Sequence, residues 1–239
     1  VNALAPPKVK TAKPTVQPAL ADQGMPAQVR EWLEANRNLI GGFIAGVLIL
    51  FLIALGVQSY LKGQESRAQE RYAQLMRQWP KDFSTADDQT LEKLIPDLQK
   101  FLQEHDGREA AWLGRLDLAR VFYQMRRHED ALAQNQIVLD GTSDPILRNM
   151  AHYQAAVTLQ ALGRPDQAIV QWNAVKGEPS LVSERELNWY LASLYVERKD
   201  HPKAVEHLEL AIKADGDYPT NQLLEDQLAG QKAAASQGS

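Results

Sequence analysis

The hydrophobic pattern of this chain changes period four times, and each change marks an element. From Leu39 to Val57 runs an apolar stretch of 19 residues, and no charged side chain lies between Arg37 and Lys62. As a helix that stretch spans about 28 Å, close to the hydrocarbon thickness of a bilayer. It predicts a transmembrane helix over 38–61. Its length and its distance from the start of the sequence favour a retained anchor over a removed signal peptide. Just upstream, Pro26 can open a short helix, in which Val29, Trp32 and Leu33 share one face and Arg30, Glu31 and Glu34 lie elsewhere. This predicts an amphipathic juxtamembrane helix over 26–37, with Trp32 at one membrane interface and Tyr60 at the other. Residues 1–25 are rich in Pro, Ala and Lys and read as a disordered tail.

Beyond the span, Ala68, Tyr72, Leu75, Met76 and Trp79 recur on one helical face, so the helix should continue until Pro80 stops it. A second face follows in Leu91, Leu94, Ile95, Leu98, Phe101 and Leu102. Pro96 lies inside it and should kink or split that helix, and Asp106-Gly107 closes it. Residues 62–108 are therefore read as connecting helices.

From Glu109 the chain repeats itself every 36–37 residues. Small residues mark the first helix of each unit (Ala119, Ala156, Ala192), and a large one follows three positions later (Phe122, Leu159, Tyr195). A tight turn comes next, then a second small anchor at Ala131, Ala168 and Ala204. Small residues let paired helices approach, and the large one fills the space between them. This pattern resembles the tetratricopeptide repeat, whose period is about 34. Asn135 departs from it, standing where a large apolar residue belongs, which predicts irregular packing in the first unit. Residues 109–230 form the repeat domain. Asn221–Leu228 is read as its capping helix, and 231–239 as a disordered tail. The fold class is all-α, with one N-terminal transmembrane helix followed by a tetratricopeptide-like helical-repeat solenoid.

Charge and composition narrow the function. Residues 1–61 carry five cations and three anions, so the chain's net −4 becomes −6 over the remainder. A mildly acidic domain without a basic stripe argues against nucleic acid. The absence of cysteine excludes disulfides, thiolate metal sites and covalent haem attachment. None of the five histidines falls at zinc-ligand spacing with another, and there is no phosphate-binding glycine loop and no nucleophile elbow. No catalytic, metal or cofactor site is expected, and the chain reads as a non-enzyme. Two features remain for binding. Gly42 and Gly46 have the spacing that lets membrane helices pack closely.

The other feature is the concave face that a tetratricopeptide-like stack builds from its first helices. That geometry places Leu116, Arg120 and Tyr123 on the face from the first unit, Tyr153 and Val157 from the second, and Trp189, Ser193 and Val196 from the third. Such a lining would suit an apolar or extended peptide. The competing reading has Tyr153 and Trp189 packed against neighbouring helices.

Several stretches carry a closer resemblance. They are Arg30-Glu31-Trp32-Leu33-Glu34-Ala35-Asn36, Ile95-Pro96 with Lys100-Phe101, Leu116-Asp117-Leu118-Ala119-Arg120-Val121-Phe122, Thr142-Ser143-Asp144 and Val175-Lys176-Gly177-Glu178. In their order and spacing the chain resembles the YfgM-like ancillary subunits of the SecYEG translocon. The longer Pro-rich tail and more regular repeats depart from that family. The resemblance implies a single-span protein of the bacterial inner membrane, with a cytoplasmic N-terminus and a periplasmic C-terminal domain. It also implies partners in the translocon and among periplasmic proteins or chaperones. The flanking charges leave topology open, because Arg30 and Arg37 on one side face Lys62, Arg67, Arg71 and Arg77 on the other. The alternative role is a structural accessory subunit of another inner-membrane complex, respiratory or envelope-assembling.

Overall fold

The structure, a computed structural model, describes residues 26–80, 85–175, 182–214 and 221–237. The segment 1–25, read above as disordered, lies outside the described residues. The described residues hold helices and no strand. In order they are α1 (Ala27–Ala35), α2 (Arg37–Met76), α3 (Asp88–Glu104), α4 (Glu109–Gln124), α5 (His128–Gly141), α6 (Pro145–Ala161), α7 (Pro165–Ala174), α8 (Glu184–Glu197), α9 (His201–Ala214) and α10 (Asn221–Gln237). The chain divides into two compact units, residues 1–60 and 61–239.

The first unit holds α1 and the apolar part of α2. None of the most apolar 18-residue window of α2 is buried. A core helix of a soluble protein would be mostly buried, so this helix has the length and exposure of a membrane span. Phe43 and Leu50 stand 73% and 67% exposed.

The second unit is built as successive small cores. Ala68 and Leu75, from the last turns of α2, are buried against Leu91, Leu98 and Phe101 of α3 and Leu118 and Val121 of α4. The connecting helices of the segment 62–108, the end of α2 and α3, thus share a core with α4. Its α3 is capped by Asp87, whose carboxylate accepts from the Thr90 amide at 2.7 Å. Of the kink or split expected at Pro96, the split does not occur, since α3 runs unbroken through it. Arg108 offers α4 no side-chain cap, and the Glu65 carboxylate of α2 takes that place, accepting from the Glu109 and Ala110 amides at 3.3 and 3.4 Å.

The three repeat units are the pairs α4–α5, α6–α7 and α8–α9. All six small anchors, Ala119, Ala156, Ala192, Ala131, Ala168 and Ala204, are at most 1% exposed, which is the close approach their spacing predicted. Each pair turns in the same way. Residues Arg126, Gly163 and Lys199 take φ of 59°, 66° and 58°. The amide after each reaches back five residues in a doubly bonded helix stop: Arg127 to Phe122, Arg164 to Leu159 and Asp200 to Tyr195, at 2.8–2.9 Å. One unit has glycine there and the other two do not, so the left-handed position could not be read from composition.

A polar link joins the two helices in units two and three. His152 Nδ1 lies 2.7 Å from Gln171 Oε1, and His207 Nδ1 lies 2.9 Å from Asn188 Oδ1. At the same register unit one has Arg115 and Gln134. There Arg115 Nε and Gln134 Oε1 are buried without a partner, beside a polar cavity of about 520 Å³. Asn135, where irregular packing was expected, is itself fully buried.

The cap α10 seats Leu224 on Ala192, Leu208 and Ala211. It extends to Gln237, so the tail read as disordered from 231 is helical that far, and residues 238 and 239 lie outside the described residues.

Candidate partner-binding groove

Two first helices, α4 and α6, face one another across a cavity of about 550 Å³. Arg120 and Tyr123 reach it from α4, and Tyr153 and Val157 from α6. These four are sequence candidates that the fold brings together. Met150, Gln124 and Gln154 complete the wall.

Each member is held from behind. The Arg120 guanidinium bonds Asp117 Oδ1 at 2.9 Å and lies 5.6 Å from the centre of the Trp79 ring. Asp117 Oδ2 in turn accepts from the Tyr72 hydroxyl at 2.5 Å. Burial pushes the Asp117 carboxyl above its ordinary value, against the pull of the Tyr72 hydrogen bond and of Arg120. Tyr153 meets Trp172 edge-on at 5.3 Å. Trp172 is fully buried, and its Nε1 donates to Gln160 Oε1 at 2.9 Å. Tyr190 stacks on the other part of the same ring at 4.4 Å and 8°. Partial burial raises the Tyr190 phenol, helped by the nearby Tyr153 and Glu186. Tyr190 was missed in the sequence, because its neighbour Trp189 sits at the register of Tyr153 and drew the assignment. Tyr153 is therefore both a groove wall and part of the aromatic core.

The remaining candidates lie elsewhere. Leu116 is a correction: it is 1% exposed, covered by Val138, Leu139, Leu147 and Ala151, and lines no groove. Ser193 and Val196 sit beside Gln227 and Gln231 of α10, around a cavity of about 270 Å³. Trp189, 39% exposed, sits beside Leu223 and Leu224 of the same helix. The third unit thus presents its face to the cap and not to the α4–α6 cavity. In the apolar helix, nothing stands within 4 Å of a side chain built at Gly42 or Gly46.

Among the described residues, no three of His, Asp and Glu are grouped so as to hold a metal ion. The arrangement offers an aromatic and apolar wall with one positioned cation and two carboxamides. That can grip a chain but supplies no nucleophile, base or electrophile. The fold and groove define a helical-repeat scaffold of the tetratricopeptide-like class, tied, among the described residues, to one helix long and apolar enough to cross a membrane. Residues 30–187 match the model of the tetratricopeptide repeat-like domain family, and the chain belongs to that family. No curated protein matches it. Domains of this class are typically non-catalytic scaffolds, and this one has a protein-interaction architecture.

Proposed function

We propose that this protein is a membrane-anchored adaptor of the bacterial envelope, ancillary to the SecYEG translocon, that holds periplasmic chaperones or emerging chains near the exit. The observation that carries the reading is the α4–α6 groove, with Arg120, Tyr123, Tyr153 and Val157 around one cavity on a domain tethered by a single apolar helix. The translocon and periplasmic parts rest on the resemblance of the stretches named above to the YfgM-like subunits. An apolar or extended segment fits best, because the one cation is already paired with Asp117. A photoreactive residue in place of Tyr123, in full-length protein in its native membrane, should crosslink to translocon subunits or periplasmic chaperones. The same group at Val170, 64% exposed on α7, should not.

The second reading, an accessory subunit that stabilises another inner-membrane complex, is favoured by the opposite face. There Leu132, Ala133 and the exposed Val170 border a cleft of about 430 Å³ between α5 and α7. Stoichiometric crosslinks from Val170 to a respiratory or envelope-assembly complex, with none from Tyr123, would replace the adaptor reading by this one.

A further inference from the structure

Among the described residues nothing buries the apolar face of the short helix α1, where Val29 and Trp32 are exposed and Leu33 is half-buried, and its place in the chain says what covers that face. At about 100° per residue, Val29, Trp32 and Leu33 occupy one arc of roughly 100°, with Arg30, Glu31 and Glu34 on the opposite side. No residue of α1 is buried, and Trp32 is 60% exposed. α1 is also a separate helix. Asn36 stops it with φ −106° and ψ 10°, and its Nδ2 donates to the Trp32 carbonyl at 2.8 Å. The next residue, Arg37, opens the apolar helix. Three residues after the Asn36 corner, the first apolar side chain of that helix, Leu39, stands 74% exposed, which a bilayer and not water must cover. The lipid–water boundary therefore falls at the corner itself.

We propose that α1 lies flat in that boundary as an interfacial helix, with Val29, Trp32 and Leu33 among the acyl chains and the charged side among the headgroups. The occupant of its apolar face is lipid. Continuity with the apolar helix delivers α1 to the interface, and only a flat orientation covers Val29 and Trp32 together. An upright α1 continuing the line of the span would leave both in water. The charge balance fixes the kind of lipid recognition. The polar side carries one cation and two anions, so attachment works by apolar insertion and does not depend on anionic headgroups. Trp32, with an apolar ring and a polar N–H, suits that depth. The flat helix and the corner at Asn36 then set the depth at which the span begins. This reading uses only the lipid-facing unit and holds whatever the repeat domain binds.

The chain has no cysteine, so single-cysteine variants report cleanly. Spin labels placed one at a time from Gln28 to Glu34 in full-length protein, reconstituted into phosphatidylcholine nanodiscs, test the orientation. Accessibility to oxygen should peak severalfold at Val29, Trp32 and Leu33, and accessibility to a water-soluble nickel chelate should peak at Arg30, Glu31 and Glu34. The depths of Val29 and Leu33 should match. A uniformly high nickel response would place α1 in water and overturn the proposal. Depth rising steadily along the residue number would show an upright helix and overturn it equally. Adding phosphatidylglycerol should leave the pattern unchanged. A pattern that emerges only with anionic lipid would refute insertion as the cause.

Discussion

Replacing Asn135 by leucine should stabilise this protein, which is unusual for a change in a sealed core. Asn135, Trp172 and Leu208 occupy one register position, four residues past the small anchor of each second helix, and are exposed by 0%, 0% and 2%. The first of them carries a carboxamide, and neither its Nδ2 nor its Oδ1 has a partner. An unsatisfied buried polar group costs about 1–3 kcal/mol. Leucine has the same branched skeleton with bulkier ends, removes that cost and restores the apolar contact the other two units have. Asn135→Leu should therefore add about 2 kcal/mol, or about 4–8 °C in melting temperature for a domain of this size. Thermal and urea unfolding of full-length protein in micelles, followed by far-UV circular dichroism, measure it. The mirror change Leu208→Asn should cost about 3–5 kcal/mol. A midpoint for Asn135→Leu equal to or below the parent would refute the reasoning. It would mean the carboxamide is satisfied, by ordered water for instance, or that the seam between α4 and α5 cannot accept a branched side chain.

Other perturbations follow from the same packing. A side chain at Gly141 would stand 2.3 Å from the Trp112 ring, so Gly141→Ala should cost about 1–3 kcal/mol and change the near-UV signal of Trp112. Equal stability would show that the ring moves aside freely. Arg126→Gly and Lys199→Gly should each gain up to about 1 kcal/mol by relieving a left-handed backbone, and Gly163→Ala at the same register should lose about as much. The reverse ranking in urea midpoints would refute the shared turn. Asp117 sets one pH dependence. Its folded carboxyl titrates above its unfolded value, so the stability it contributes is fully present below the unfolded value and is lost as pH rises through the folded one. Asp87, shifted down by its bonds to Thr90, acts oppositely: its contribution holds above the unfolded value and is lost as pH falls through the folded one. Asp117→Asn should flatten the first dependence and leave the second. Parallel pH profiles for parent and variant would assign the slope elsewhere.

The repeat was legible because packing of this kind demands small residues at fixed offsets, and Ala119, Ala156 and Ala192 with their partners could be read directly. So could the long apolar helix, whose exposure in the structure matches the absence of charge in the sequence. Three things were hidden. The role of the segment 62–108 was hidden because its faces pack on α4, and periodicity reports a face without naming what covers it. The continuity of α3 was hidden because one missing amide at Pro96 is tolerated when Ile95, Leu98 and Phe101 are all sealed against a neighbour. The length of α10 was hidden because its second half, rich in Ala and Gln, has helix propensity but little apolar pattern.

The groove was the hardest part to read, and the reason is geometric. Leu116, Tyr153 and Trp189 share one register position, yet one is core, one is wall and one is surface. What differs is the element that follows each along the stack. Leu116 is covered by Leu147 and Ala151 of α6. Tyr153 is braced from one side by Trp172 and left open toward α4. Trp189 has the end of α10 beside it, through Leu223 and Leu224, and is still 39% exposed. Register in a repeat fixes which way a side chain points, and the next unit decides whether it stays open. The open stretch between α4 and α6 lies at the step between the first two units, where Arg120 is paired with Asp117 and lies over the Trp79 ring. Selection at such a site falls to shape and apolar area at Tyr123, Tyr153, Val157 and Met150, with the arginine fixing orientation and not supplying a general attraction for charge.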